Sequence, residues 1–476
     1  MVSQDHKDCF PTMEQGARMN HDLTKGNPLG VMWRFCLPLF FGALVQQLYV
    51  VTDSLVAGRL IGEVALAAVG NTYPIALLYQ ALAFGTATGV SVVVSRYFGA
   101  GETRQVRDAI RTALLATVAF CVVLTLVGSL GLNGLLRLIR TPDDALAQSR
   151  QYLVLYTAGL LPLFLYQLSL GVFTALGDAK TPAVFLSLSS LFNIALDLLF
   201  VIRFRLGIAG IALATMACQT LSALIALALM QRRLSDMSRS DGEDRTSQYS
   251  LKLLREMLQI ALPVTLQQLI VSIGNVFIQA NVNRFGSGVS AGYGAVIKLN
   301  NLAISALIAF DKGMATFAAQ NGAQKPERIR SGRNGAILLS VTFGLVITAV
   351  FYLFRAELLG LFLRAGSLAA MEMAVWFFRI VLPFYLFVSV KIACDGMLRG
   401  LADMRRLLIG TFVDIALRVG CGFLFSAFWG AVGIWAAWPV GWVTGTALTL
   451  AFTAGKLRLD RRGNASELDP VSTNKS

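Results

Sequence analysis

Long uninterrupted apolar stretches, separated by short polar segments, dominate this chain. Several of them exceed the roughly 18 to 20 uncharged residues that a helix needs to cross a bilayer. The clearest are residues 64–95, 112–136, 151–177, 206–231, 257–283 and 419–455, the last long enough for two spans. The pattern predicts an all-α polytopic membrane protein with twelve transmembrane helices. They cover approximately 30–58, 64–93, 110–133, 150–175, 183–202 and 207–231, then 255–283, 290–317, 333–354, 373–397, 407–428 and 431–455.

The second half of the chain repeats the first half in the same direction. Leu37-Pro38 recurs as Leu262-Pro263, about 225 residues later. Further repeats pair Arg59 with Arg284, Leu161-Pro162 with Leu382-Pro383, Ile194-Ala195-Leu196 with Ile415-Ala416-Leu417, and Gly207 with Gly430. A parallel tandem repeat in a membrane builds two lobes around a central cavity. We therefore predict two pseudo-symmetric six-helix bundles, an N-lobe over 28–231 and a C-lobe over 253–457.

Basic residues cluster after every second predicted span. The formal net charge is +14, yet only 14% of the residues are charged. By the positive-inside rule, the clusters place the two tails, 1–27 and 458–476, and a linker over 232–252 in the cytoplasm. The Arg-, Ser- and Asp-rich part of this linker, 232–250, is predicted to be flexible. The basic excess then reflects topology and contact with anionic membrane lipid in the plasma or inner membrane, and no nucleic-acid partner is expected.

Motifs for enzyme chemistry are missing from the sequence. The only two histidines are His6 and His21, in the N-terminal tail. The chain contains no His-Glu-x-x-His, no Cys-x-x-Cys and no Gly-x-x-x-x-Gly-Lys-Ser/Thr phosphate loop. We expect neither an enzyme nor an ATPase, and no cofactor apart from H⁺ or Na⁺ as a coupling ion. Transport driven by an ion gradient is the remaining prediction.

Ionisable residues inside a bilayer are costly, so each one is a functional candidate. In span 1, Gln46, Tyr49 and Asp53 have the spacing i, i+3, i+7 and share a helix face. Asn193 and Asp197 share a face of span 5 in the same way. Two carboxylates among amides and hydroxyls in an apolar lobe gain proton affinity, and their oxygens could instead hold Na⁺. The alternative is that Asp53 is solvated near the outer surface or caps a helix. The predicted coupling residues are Asp53, Asn193, Asp197, Thr215 and Gln46.

The duplication favours the N-lobe as the coupling site. The C-lobe has isoleucine at the place of Asp53, and Asp414 and Arg418 at the places of Asn193 and Asp197. Asp414 and Arg418 are four residues apart and can neutralise each other. The N-lobe therefore keeps acidity that this part of the C-lobe lacks.

The C-lobe offers candidates for the substrate cavity. Lys391 and Asp395 are four residues apart in span 10, and Lys298 lies in span 8, followed later by Asp311 and Lys312. A Lys–Asp pair in lipid is most often structural, but Asp395 would attract a cationic substrate if it faced the cavity. The predicted cavity residues are Tyr49, Asp395, Lys298 and Lys391.

Several of these motifs together resemble the multidrug and toxic compound extrusion (MATE) family over residues 25 to 457. They are the Leu-Pro entries to spans 1 and 7, Gln46-Gln47-Leu48-Tyr49, Thr52-Asp53, Phe98-Gly99-Ala100-Gly101, Ala175-Leu176-Gly177-Asp178, Gln320-Asn321-Gly322-Ala323 and Leu398-Arg399-Gly400. Within the family the chain is most similar to the DinF-like branch, which has an Asp in span 1, an Asn and an Asp in span 5 and a Thr in span 6. Asp53, Asn193, Asp197 and Thr215 fit those places. The other bacterial branch has a Glu in span 7, and residues 257–283 contain none.

The resemblance implies export of amphipathic, often cationic drugs or toxic metabolites in exchange for H⁺ or Na⁺, by rocking of the two lobes. We expect a small-molecule substrate and a monomer. One alternative is a flippase for lipid-linked oligosaccharides from the same superfamily, whose cavity would carry several Arg or Lys. The other alternative is a membrane scaffold that transports nothing.

Overall fold

The computed structural model describes residues 22–56, 63–138, 143–241, 249–322, 325–363 and 368–467. Within them the chain forms fifteen α-helices and no strand. The helices are α1 (Pro28–Val56), α2 (Glu63–Gly99), α3 (Thr103–Leu138), α4 (Asp143–Ala158), α5 (Leu160–Ala175), α6 (Lys180–Leu198), α7 (Ile208–Asp241), α8 (Leu251–Asn283), α9 (Ser287–Asn321), α10 (Pro326–Leu353), α11 (Arg355–Gly360), α12 (Leu368–Val381), α13 (Tyr385–Gly400), α14 (Met404–Trp429) and α15 (Ala431–Glu467).

The helices agree with the predicted polytopic, all-α architecture. In the described part of the chain, ten spans are long and apolar enough to cross a membrane, and the bent pair of α4 and α5 makes an eleventh. The remaining long helix, α15, carries three tryptophans among glycines and threonines and completes the C-lobe. The N-lobe thus contains α1 to α7, and the C-lobe contains α8 to α15.

The repeated Leu-Pro motifs interrupt the fourth span of each lobe. In the N-lobe, α4 and α5 meet at Gly159 and bend by 50°, three residues before Pro162. In the C-lobe, a short 3-10 turn, Leu382–Phe384, separates α12 from α13 around Pro383. Proline lacks an amide donor and its ring crowds the preceding turn, so a break at this place follows in both copies.

Two helices extend beyond their predicted ends. Helix α7 continues to Asp241, so the prediction that 232–250 is flexible throughout is wrong for its first part. The residues from 211 to 241 include no glycine or proline, and Arg, Ser and Asp in this stretch do not end a helix. Helix α15 likewise continues to Glu467, into the segment predicted as the C-terminal tail.

The two lobes pack against each other along α2 with α8 and along α1 with α9. Contacts between α2 and α8 run from Tyr97, whose hydroxyl donates to Glu256 (3.1 Å), up to Thr265, whose hydroxyl donates to the Ala81 carbonyl (3.5 Å). Beyond Thr265, the polar contacts of α8 pass to α14 within its own lobe, starting with Gln267. The lobes are therefore joined from one end to about mid-height.

The joined end is the predicted cytoplasmic end, and the N-terminal segment fastens it. Buried Leu23 donates its N–H to Gln320 Oε1 (3.2 Å), and Gln320 Nε2 donates to the Ala175 carbonyl in the N-lobe (2.8 Å). Arg328 of α10 donates to the carbonyls of Leu23, Lys25 and Gly26 at 2.9, 2.8 and 2.7 Å. This network belongs to a state that is closed toward the predicted cytoplasm.

Close helix approach at the joined end depends on Gly89. A Cβ at this position would lie 2.6 Å from the carbonyl oxygen of Met257 in α8. We predict that Gly89→Val forces α2 and α8 apart and populates states open at this end. A cysteine introduced as Thr265→Cys should then react several-fold faster with a membrane-impermeant maleimide applied from the predicted cytoplasmic side.

Gly131→Val in α3 is the matched control, because nothing lies within 4 Å of a Cβ built there. It should leave the labelling rate unchanged. Equal labelling in the Gly89→Val variant and the parent would contradict the tight lobe contact.

Candidate coupling site and charged network

A small polar cavity lies inside the N-lobe, between α1, α5, α6 and α7. Its lining residues are Gln46, Tyr166, Leu186, Ser189, Ser190, Asn193, Thr215, Cys218 and Gln219. The cavity has a volume of about 50 Å³. Pockets that hold drug-sized ligands have roughly 300 to 1,000 Å³, whereas one liquid water occupies about 30 Å³. This space therefore suits a cation or a few waters rather than a drug.

Three of the predicted coupling residues line this cavity together. Asn193 Nδ2 donates to Thr215 Oγ1 at 3.4 Å, and both side chains are buried. Gln46 enters from α1 and is half-buried. Asp197 follows Asn193 by one turn of α6 and is fully buried, with 0% of its surface exposed. The side chains of Tyr49 and Asp53 lie outside the described part, although both positions belong to α1.

The C-lobe contains a continuous chain of buried ion pairs. Lys391 Nζ lies 2.7 Å from Asp395 Oδ2 and 3.9 Å from Asp414 Oδ2. Asp414 Oδ1 accepts from Arg418 Nη2 at 3.3 Å, and the Arg418 guanidinium lies 4.7 Å from the ring centre of Trp438. The two i, i+4 pairs that spacing predicted are thus present, but Lys391 joins them into one network. Asp395 points into this network, so its carboxylate already has a cation.

A second buried pair was not predicted from the sequence. Arg399 Nη1 forms a short ion pair with Asp311 Oδ2, and Arg399 Nη2 donates to Gln267 Oε1 at 3.0 Å. Gln267 Nε2 in turn donates to Thr411 Oγ1 at 2.9 Å. Four helices are linked by these contacts. The available signal was Asp311 in the later part of span 8 and Arg399 directly after span 10, because a charge in apolar surroundings requires a partner.

Lys298 does not join either network. Its side chain is exposed, and its Nζ lies 5.4 Å from the ring centre of Phe362. The structure therefore separates Lys298 from Lys391 and Asp395, with which the sequence analysis grouped it.

Comparisons with known proteins agree with this architecture. The sequence profile of the MatE family matches residues 38–199 and 263–424, and the two matches begin at the repeated prolines. The chain is 25% identical to the probable multidrug resistance protein YoeA of Bacillus subtilis (strain 168) over 433 residues, which cover 88% of this chain and 93% of that protein. It is 28% identical to an FAD transporter of Shewanella oneidensis over 338 residues, which cover 68% of this chain and 72% of that protein.

A solved structure has the same fold. It is the outward-facing conformation of a multidrug resistance MATE family transporter of the MOP superfamily, with a TM-score of 0.87 and 21% identity. The match covers 93% of this chain and 99% of that one. The two-lobe arrangement of six spans each is therefore shared.

The buried pair of Asp311 and Arg399 should be coupled energetically. We predict that Asp311→Asn and Arg399→Met each destabilise the protein by about 3 to 5 kcal/mol, because each leaves a buried charge without its partner. The double variant should lose much less stability than the sum of the losses in the two single variants, because it leaves no unpaired buried charge. Unfolding midpoints in detergent measure both effects.

The partly exposed pair of Asp403 and Arg406, 2.9 Å apart, is the matched control. The same substitutions there should cost within about 1 kcal/mol and be additive. Additive losses at Asp311 and Arg399 would show that the two residues do not stabilise each other.

Proposed function

Because this chain belongs to the MatE family of membrane transporters, we propose that it exports amphipathic organic molecules in exchange for H⁺ or Na⁺. The observation that carries the proposal is the N-lobe cavity, whose size and polar lining suit a small cation. No lysine or arginine is among the described residues that line it. The scaffold alternative is set aside, because the family is one of transporters.

The coupling cation should bind in the N-lobe rather than in the C-lobe. Asp311, Asp395 and Asp414 each have a cationic partner within the C-lobe. A coupling cation at these carboxylates would have to displace a lysine or arginine from a buried pair. The described residues that line the cavity around Asn193 include no lysine or arginine that a cation would have to displace.

Helix register supports the participation of Asp53. Gly42 of α1 packs against Ala183 of α6, where a Cβ on Gly42 would lie 3.0 Å from the Ala183 Cα. The first and fifth spans run in the same direction through the lobe. At about 1.5 Å per residue, position 53 lies about 16 Å beyond this crossing and Asn193 about 15 Å beyond it. Asp53 therefore belongs to the same level of the lobe as the cavity.

Protonation or Na⁺ binding at this level would drive the exchange. Removing a buried charge changes the free energy of the N-lobe by several kcal/mol. Two arrangements of helices that differ by a few kcal/mol can be interconverted by such a change. In the alternative arrangement, the joined end between α2 and α8 would open and cargo would enter there. Return to the present arrangement would release the cargo at the opposite side.

The relatives favour organic cargo without fixing its charge. One relative carries multidrug resistance in its name and another is named as an FAD transporter. We place amphipathic drugs or metabolites first. A lipid-linked oligosaccharide remains the alternative cargo, and it would be favoured if such a lipid accumulated in cells that lack the protein while drug tolerance stayed the same.

Gradient-driven efflux tests the coupling residues. We predict that Asp53→Asn and Asp197→Asn abolish efflux of a fluorescent drug from proteoliposomes under an imposed pH or Na⁺ gradient, because the amide mimics the neutral state. Asp395→Asn should reduce efflux less than either N-lobe variant. Lys391 would still have a second carboxylate nearby, because its Nζ lies 3.9 Å from Asp414 Oδ2.

All three variants must first elute as a single folded species in detergent. Efflux by Asp53→Asn at the parental rate at every pH would overturn the N-lobe assignment. So would a complete loss of coupling in Asp395→Asn while both N-lobe variants remained active.

A further inference from the structure

One face of α9 is exposed although the helix lies in the centre of the molecule. The exposed residues between 288 and 321 are Ala291, Lys298, Asn301 and Lys312. Their spacing follows the helical repeat, so they lie on a single face, with Ser305 half-buried among them. The rest of α9 packs against α10, α12 and α13 of its own lobe and against α1 and α2 of the N-lobe.

This face is directed toward the N-lobe. Ser305 accepts a hydrogen bond from Gln47 Nε2 of α1 at 2.7 Å. Lys312 Nζ lies 5.6 Å from the ring centre of Phe84 in α2. Since α1 and α2 both belong to the N-lobe, the exposed face of α9 lines the space between the two lobes rather than the lipid.

Lys312 stands where that space ends. Phe84 neighbours Gly85, and a Cβ at Gly85 would lie 2.8 Å from the Ala261 carbonyl oxygen of α8. The lobes are in contact from this level to the predicted cytoplasmic end. Lys312 is therefore at the base of the open space. Lys298 lies about 21 Å farther along the same face, toward the opposite side.

Neither lysine forms a direct ion pair with a carboxylate in the described part of the chain, although Asp311 attracts Lys312 electrostatically. The adjacent carboxylate, Asp311, is paired with Arg399, and Asp395 and Asp414 are paired with Lys391 and Arg418. No described carboxylate oxygen lies within 4 Å of either ammonium. A cation whose nearest carboxylate is directly paired with another cation attracts anions that enter a membrane-embedded space.

We propose that Lys312 binds an anionic group of the cargo, a carboxylate or a phosphate, while Phe84 contacts the apolar or aromatic part. Lys298 provides a second, more distant position for the same group along the path between the lobes. The cargo class then includes aromatic organic anions and zwitterions, in addition to or instead of the simple cations expected from the sequence. This inference rests on the proposed export function and specifies its substrate.

The test uses pairs of fluorescent probes that differ only in the anionic group. Riboflavin 5′-phosphate and riboflavin test the phosphate, and rhodamine B and its methyl ester test the carboxylate. Binding to the purified full-length protein is measured by fluorescence anisotropy in detergent without any ion gradient. The parent should bind at least one charged member about tenfold more tightly than its uncharged or esterified partner, a ratio that corresponds to one well-placed charge interaction.

Lys312→Gln should remove this preference, while affinity for the uncharged partner changes by less than about twofold. Lys312→Arg should retain the preference, because it keeps the positive charge. Lys325→Gln is the matched control, since Lys325 precedes α10 outside the space between the lobes and is also exposed. An unchanged unfolding midpoint shows that each variant is folded, and Lys312→Met serves as a second neutral variant.

The proposal is overturned by a parent that binds only the uncharged or esterified probes. It is equally overturned if Lys312→Gln weakens the binding of both probes of each pair to the same degree, as loss of a structural role would. It is also overturned if Lys312→Gln changes the binding of neither probe. These outcomes are independent of coupling. If antiport is wrong, the rate of efflux will not depend on any ion gradient. If this proposal is wrong, the preference for the charged probe will not depend on Lys312.

Discussion

The cost of placing a charge in the membrane interior is the constraint on which this structure depends. A buried charge must be paired, neutralised or supplied with a counter-ion from outside the protein. In the C-lobe, Asp311, Asp395 and Asp414 are paired internally with cations. In the N-lobe, Asp197 is fully buried beside a cavity lined by neutral residues. The described part of the C-lobe thus holds a network of buried ion pairs, whereas the described part of the N-lobe holds a small polar cavity.

This difference assigns different tasks to the lobes. The buried carboxylates Asp311, Asp395 and Asp414 of the C-lobe are paired, so under the proposed function this lobe serves cargo binding through the exposed face of α9. Under the same proposal, the N-lobe, with its small polar cavity, would take up the coupling cation. Because the lobes touch along α2 with α8 and α1 with α9, the proposed rearrangement of the N-lobe on cation binding would alter the contacts at the closed end.

The features predicted from the sequence are those that local spacing determines. The apolar stretches and the repeated Leu-Pro motifs predicted the two lobes, and the breaks near Pro162 and Pro383 follow from the chemistry of proline. The pair of Lys391 and Asp395 lies within one turn of helix and was visible in the same way. The interaction of Asp311 with Arg399 depends on how α9 packs against α13, which no local spacing encodes.

The candidate site was predictable only in part. Shared helix faces grouped Asn193 with Asp197, and Thr215 and Gln46 were predicted to join them, but their positions around one small cavity depend on the packing of three helices. The exposed face of α9 was also not predictable, because the sequence does not show which side of a buried helix faces an open space. Lys298 was consequently grouped with Lys391, although the structure places them in different surroundings.

Cargo-dependent cation movement would show directly whether transport of cargo is coupled to transport of a cation. Proteoliposomes that contain the protein, with no imposed gradient, would receive cargo on one side while internal pH or ²²Na⁺ content is recorded. We predict that cargo entry drives H⁺ or Na⁺ in the opposite direction, in a fixed ratio to the cargo moved. Cargo movement at full rate with no accompanying flux of either ion would contradict exchange between the N-lobe cation and the cargo.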